Sequence, residues 1–175
     1  SWAWLVQLPV LEGGKLEAHV VDGVAQPDAI PGLAQKGREV YEEFGCVQCH
    51  TQQVRLTSGK DLERSWGSRQ SVARDYIGAD VALLGSVRLG PDLANVGKRI
   101  EDAEWHHKHF YNARSVVANS NMPPYSFLYE TREVIGQASA KALKLEGEYA
   151  VEEGYEVVPT VKAEALVAYM LSLKV

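Results

Sequence analysis

Cys46-Val47-Gln48-Cys49-His50 is the stretch of this chain equipped for chemistry. Two thiols three positions apart on one helical turn can add across the two vinyl groups of a haem. A histidine directly after the second thiol can place an imidazole nitrogen on the iron. The same thiols could form a redox disulfide or half of a zinc site. A zinc site needs three or four ligands at suitable spacing, however, and these are the only two cysteines. One covalently attached haem c is the expected cofactor, with Cys46 and Cys49 as attachment points and His50 as proximal ligand.

An iron held this way calls for a sixth ligand, and the chain has two methionines. Met122 lies in a proline-flanked loop, Asn121-Met122-Pro123-Pro124-Tyr125, where the chain is held extended and a thioether can be aimed at a metal. Met170 falls in the apolar stripe of a terminal helix, where gap-filling packing is the default. His106, His107 and His109 form a rival cluster, but their spacing does not put all three on one side of a helix. Met122 is the favoured distal ligand, with Met170, a histidine and an open site as the alternatives. Pro91 is the favoured second partner of His50, since a ligating imidazole usually donates its other ring N–H to a carbonyl. Arg55, Arg64, Arg69, Arg88 and Arg114 are candidate partners for the haem propionates, because guanidinium matches a carboxylate bidentately.

The elements that must position these groups follow from pattern. Residues 12–33 read as extended and turn-rich, with His19 in a strand-like alternation that suits a solvated or structural histidine. From Leu33, apolar residues recur at helical intervals through Val40, Tyr41 and Phe44, and the run ends at Gly45. Gly37 costs a helix about 1 kcal/mol relative to alanine, so its place inside this run predicts a close approach by another element. The expected partner is the terminal stripe at 163–173, with Tyr169 opposite the glycine. Such crossing terminal helices resemble the class I cytochrome c fold, in which the Gly-Pro-x-Leu segment supplies the carbonyl for the histidine. Residues 51–90 read as one long polar insertion and 126–160 as a second, with a short helical piece near 138–145. A further helix is expected from about Asp102 through Phe110. The expected fold is therefore all-α: an extended N-terminal arm over residues 1–32, then a monohaem cytochrome c domain over 33–175 with two long loop insertions.

Composition narrows the function. The 175 residues suffice for one domain with a real core. A net charge of −5 gives no support to nucleic-acid binding. Residues 51–114 nevertheless hold ten Lys and Arg against eight Asp and Glu, while both flanks are acidic. The apolar opening, residues 1–11, is about half the ~20 residues needed to span a bilayer. It reads equally as the outer end of a removed membrane anchor or as an arm docked on the domain. Covalent haem attachment places the chain on the periplasmic side of a membrane.

Taken in order, Gly45-Cys-x-x-Cys-His50-Thr-Gln-x-Val-Arg55, Ser71-Val-Ala-x-Asp75-Tyr76, Gly85-Ser-x-Arg88-x-Gly-Pro-Asp-Leu93, Val96-Gly97, Trp105-His106-x-x-His109, Arg114-Ser-Val116 and Met122-Pro-x-Tyr125 resemble subunit II of cbb3-type cytochrome c oxidases. In that family the subunit is a monohaem cytochrome c held by one N-terminal membrane helix. The resemblance implies His50/Met122 ligation and an electron relay. Electrons would pass from other cytochrome c subunits or a soluble cytochrome donor to the haem–copper subunit that reduces oxygen. It also implies membrane tethering of the full-length protein at the bacterial inner membrane. Ala113 departs from the family's proline before Arg114. No paired carboxylates or Ser/His/Asp set suggest independent catalysis, so the chain is expected to serve a cytochrome c oxidase complex rather than act alone. The alternatives are a free or dehydrogenase-linked cytochrome c and a haem peroxidase or ligand sensor.

Overall fold

The computed structural model describes residues 29–56 and 60–174, together with 7, 17, 19–21 and 24–27. The two readings of the apolar opening fall on residues 1–11, which lie outside the described residues apart from Gln7. No helix among the described residues is long and apolar enough to cross a membrane.

Strands β1 (His19–Val21) and β2 (Val24–Gln26) pair antiparallel, with His19 opposite Gln26. Helix α1 runs over Gly32–Glu43. The single turns α2 (Lys60–Glu63) and α3 (Val96–Arg99) flank a long stretch of turns, and α4 covers Ala103–Tyr111. Asp102 starts α4 by accepting a hydrogen bond from the Glu104 N–H, which satisfies one of the helix's free first-turn donors. Strands β3 (Tyr129–Glu133) and β4 (Tyr155–Pro159) pair antiparallel with Thr131 opposite Val157. Helix α5 (Val161–Ser172) ends the described chain, capped by the Thr160 side chain on the Ala163 N–H.

The core is built on α5. Ala163, Leu166, Val167, Tyr169 and Met170 are all at most 3% exposed and pack on Val40, Tyr41, Val96 and Phe110. Two glycines let the backbones close. A Cβ on Gly37 would stand 1.8 Å from the Ala165 carbonyl oxygen and 2.7 Å from the Tyr169 Cβ. A Cβ on Gly97 would stand 2.5 Å from the Leu171 carbonyl oxygen, and its own N–H donates to the Leu173 carbonyl at 2.9 Å. Helix α5 is thus gripped by α1 on one side and α3 on the other. The Tyr169 hydroxyl continues past this crossing to donate to Gln52 Oε1 at 2.9 Å, two residues beyond His50.

The expectation of an all-α chain is overturned by β1–β2 and β3–β4, which make the architecture mixed. The second insertion is not a plain loop either. Its two ends form β3 and β4, and residues 138–145 carry no helix. Helix propensity in Ala-Lys-Ala-Leu-Lys loses there to tertiary pairing: Leu143 donates its N–H to the Val157 carbonyl at 2.9 Å, and Ser139 donates to Glu156 Oε2 at 2.6 Å. Local pattern could not show this pairing. In β3 only Tyr129 is buried, while in β4 Glu156, Val157 and Val158 are buried in succession, so neither strand alternates cleanly.

The crossing at Gly37 generates a direct prediction. Gly37→Ala should lower the melting midpoint through a clash worth about 1–3 kcal/mol. Gly32→Ala, at a site with nothing within 4 Å of the added methyl, should not. Equal midpoints for the two variants in thermal denaturation would contradict the crossing.

Candidate haem site

Gly45 ends α1 in the left-handed conformation, at φ 67°, and swings the chain into a tight turn over Cys46–Gln48. That turn presents the motif. The Cys46 carbonyl accepts from both the Cys49 and His50 N–H groups at 3.1 and 3.0 Å, so the two cysteines and the histidine come off one coil of backbone. Both thiols are free and half-buried. Burial pushes the Cys46 thiol up to about 11.

His50 is held from below. Its Nδ1 lies 2.8 Å from the Pro91 carbonyl oxygen. A carbonyl can only accept, so Nδ1 carries the proton and Nε2 keeps its lone pair. Burial lowers the imidazole's pKa, with the Pro91 bond and the Asp92 charge pulling the other way, a shift that favours the neutral ring. Gly90 makes room for it: a Cβ there would stand 2.2 Å from the His50 Cε1. Gly85, at φ 66°, likewise has its Cβ position 2.4 Å from the His50 carbonyl oxygen.

Next to His50 lies a polar cluster built from buried acids. Asp92 and Asp61 are 0% and 1% exposed. Arg88 sits between them, donating to Asp61 Oδ1 and Oδ2 at 2.8 Å each, to the Gln53 carbonyl at 2.8 Å, to Thr51 Oγ1 at 2.7 Å and to Asp92 Oδ2 at 3.3 Å. The structure therefore brings Arg88, named above for a propionate, to the chain's own carboxylates. Burial alone would push the Asp61 carboxyl up, but the Arg88 hydrogen bonds and charge and the Arg55 N–H together hold it below its ordinary value.

The other expected residues lie around this centre. Met122 is half-buried and packs on the core, its N–H donating to Ser120 Oγ at 3.2 Å. The Tyr125 N–H then donates to the Phe110 carbonyl at 2.8 Å, which pins the methionine loop to the end of α4. Met170, by contrast, is 3% exposed within the core. Among the described residues the Arg55 side chain reaches Gln53 Oε1, at 3.3 Å, and Arg114 is exposed. The three histidines of α4 diverge. His106 Nε2 meets the Ile100 carbonyl at 2.9 Å and His107 Nδ1 meets the Tyr129 hydroxyl at 3.2 Å. His109 stacks on Trp105 at 4.7 Å.

The sequence reading named His109 only within the rival histidine cluster and did not single out Arg99; both are half-buried. His109 Nδ1 has no hydrogen-bond partner among the described residues, and burial depresses its pKa to about 4. Arg99 donates from one terminal nitrogen to the Asp92 carbonyl at 2.9 Å, while its Nε is buried without a partner. Burial lowers its pKa as well. A half-buried guanidinium with a buried, unpartnered Nε among the described residues has room for an added carboxylate. No local spacing signals it among the ten cations of residues 51–114. Two thiols, an imidazole whose Nδ1 is taken by Pro91, a loop thioether and this guanidinium are a donor set that fits one haem.

A family model described as "Cytochrome C oxidase, mono-heme subunit/FixO" matches residues 16–168. No curated protein matches the chain.

The lowered Asp61 carboxyl predicts an acid limb. A group whose folded pKa is depressed contributes fully above the ordinary carboxylate value of about 4, and its contribution is lost as pH falls through the lower folded value. The melting midpoint should therefore drop below about pH 4 in the wild type. Asp61→Asn should start lower at neutral pH and fall less on acidification. Parallel midpoint-against-pH curves would remove Asp61 as a source of that limb.

Proposed function

The chain belongs to the FixO family, the mono-haem subunits of cbb3-type cytochrome c oxidase, and from that premise we propose that it holds a single covalent haem c and relays electrons to the oxygen-reducing haem–copper subunit. Cys46 and Cys49 supply the thioether sulfurs. His50 Nε2 and the Met122 sulfur would hold the iron, and Pro91 fixes the tautomer of His50. Arg99, half-buried, is the cation suited to a propionate, with Arg55 and Arg114 as outer partners. The bound haem supplies one-electron chemistry.

The observation that carries this reading is the His50 ring, tied through Nδ1 to Pro91 so that Nε2 is the nitrogen left for a metal. With Met122 as the second protein ligand, the thioether would raise the potential of the bound iron and leave it no open position. Such a site carries electrons without binding oxygen or peroxide. The chain is thus an electron-transfer subunit of an oxidase complex, with residues 33–175 as haem domain and 1–32 as the arm leading from a membrane tether on the periplasmic face. Electron donors on that face are other cytochrome c subunits or a soluble cytochrome.

The segment before Gly90 is suited to meet them. Arg69 is paired with Asp75 and Arg88 with Asp61, but Lys60, Arg64 and Arg74 are exposed. Exposed cations on an acidic protein steer association, and their effect appears in rate and salt dependence. Lys60→Glu with Arg64→Glu should slow reduction by a negatively charged donor at low salt and leave the high-salt rate alone. A rate unchanged at every ionic strength would make this loop plain solvated surface.

Met122 is tested in the haem-loaded protein. Met122→Ala should keep covalent haem, lose the methionine–iron absorption band and lower the reduction potential, since water or a harder group replaces a soft neutral ligand. A variant with the wild-type spectrum and potential would overturn the ligation, and rapid peroxide turnover by the wild type would overturn the relay.

A further inference from the structure

We propose that Thr51, Asp92, Arg88 and Asp61 form a clamp that sets how strongly His50 donates to iron, and so act as positioning residues that tune the reduction potential. The proposal rests on the reading of His50 as proximal ligand.

The residues sit at the two shoulders of the ligand's hydrogen bond. Thr51 follows His50 in the chain and Asp92 follows Pro91. The Thr51 hydroxyl donates to Asp92 Oδ2 at 2.5 Å. Backbone bonds run on both sides of the His50–Pro91 contact, from the Gly90 N–H to the Cys49 carbonyl at 3.0 Å and from the Leu93 N–H to the Thr51 carbonyl at 2.8 Å. Asp92 also accepts from the Gln53 and Ala94 N–H groups at 2.8 and 2.9 Å. The Pro91 carbonyl therefore cannot turn from the imidazole without breaking the Thr51–Asp92 bond. Arg88 joins Thr51 to Asp92, and Asp61 grips Arg88 from the far side through both carboxylate oxygens.

Two buried acids and a guanidinium are more than a turn requires. Replacing such buried ions by apolar groups of similar volume is often neutral or stabilising, so the stability that Asp61 lends does not by itself account for the whole cluster. Geometry does. A carbonyl held firmly on Nδ1–H gives the ring more anionic character and makes Nε2 a stronger donor, which favours ferric iron. Loosening the clamp weakens that donor and raises the potential.

Thr51→Val tests this in the haem-loaded protein, because it deletes the hydroxyl while keeping shape and every charge. In the reduced state the His50 ring N–H should exchange with deuterium about tenfold faster, the scale of one lost net hydrogen bond. The potential should rise, and Thr51→Ser should restore both. Leu166→Ala, in the core of α5 and 1% exposed, should lower the melting midpoint and leave the potential at the wild-type value. Wild-type exchange and potential in Thr51→Val would overturn the clamp alone. A wild type with no protected ring N–H and no low-spin spectrum would overturn the ligation and the clamp with it. Should Thr51→Val not load haem, Asp61→Asn carries the same exchange measurement, and an unchanged rate there overturns the clamp.

Discussion

The hydrogen bond between His50 Nδ1 and the Pro91 carbonyl is the contact to which the neighbouring structure is fitted. It brings together segments 41 residues apart, and two glycines give it the space it needs. Gly90 lies flat against the imidazole, and Gly85 turns the chain over the His50 carbonyl in a conformation open to glycine. With the segments this close, side chains larger than hydrogen are excluded at the ring. The Asp92 carboxylate beside the contact is fully buried, so its oxygens must be satisfied by the protein. The Asp92 bonds to Thr51, Gln53 and Ala94 answer that need.

The same economy of space governs the helices. Gly37 and Gly97 let α5 approach α1 and α3 at backbone contact, and Tyr169 extends from that crossing to Gln52. The Tyr76 hydroxyl donates to the Gln52 backbone carbonyl at 2.7 Å. Gln52 thus ties the terminal helix and the polar segment after the motif to the strand of residues that leaves His50. Displacement of α5 would be felt within two residues of His50. Burial of Tyr169 pushes its hydroxyl up to about 12, which keeps this link in its donating form across ordinary pH.

What could be read from sequence was what local chemistry and short periods encode. The Cys46–His50 spacing, the loop place of Met122, the Gly-Pro pair at 90–91 and the glycine inside α1 each carry their own physical signal. Asp102 at the head of α4 does too. Arg88 and Arg99 show where such reading stops. Both are arginines beside the same motif, and only folded geometry separates one gripped by Asp61 from one with a buried, unpartnered Nε. The β3–β4 pairing was hidden for a related reason. Its register joins residues 26 positions apart, Thr131 to Val157, and each strand alone lacks the alternation that announces a sheet.

An electron carrier works best when its ligands barely move between oxidation states, and the two sides of this site are restrained differently. On the His50 side restraint comes from a buried lattice of charges and backbone bonds. On the Met122 side it comes from covalent stiffness: Pro123 and Pro124 limit the backbone directly after the methionine, and Tyr125 fastens the loop to Phe110. Aromatic packing then closes the loop's far end, where Tyr125, Phe127 and Phe44 meet at ring separations of 5.1 to 6.4 Å. Phe44 is the last residue before Gly45, so this cluster joins the distal loop to the very turn that presents the cysteines. The proximal restraint is electrostatic and sensitive to single polar atoms, whereas the distal one is steric and tolerant of charge. Under the proposed ligation, adjustment of the potential would belong to the histidine side, and the methionine side would hold the coordination closed.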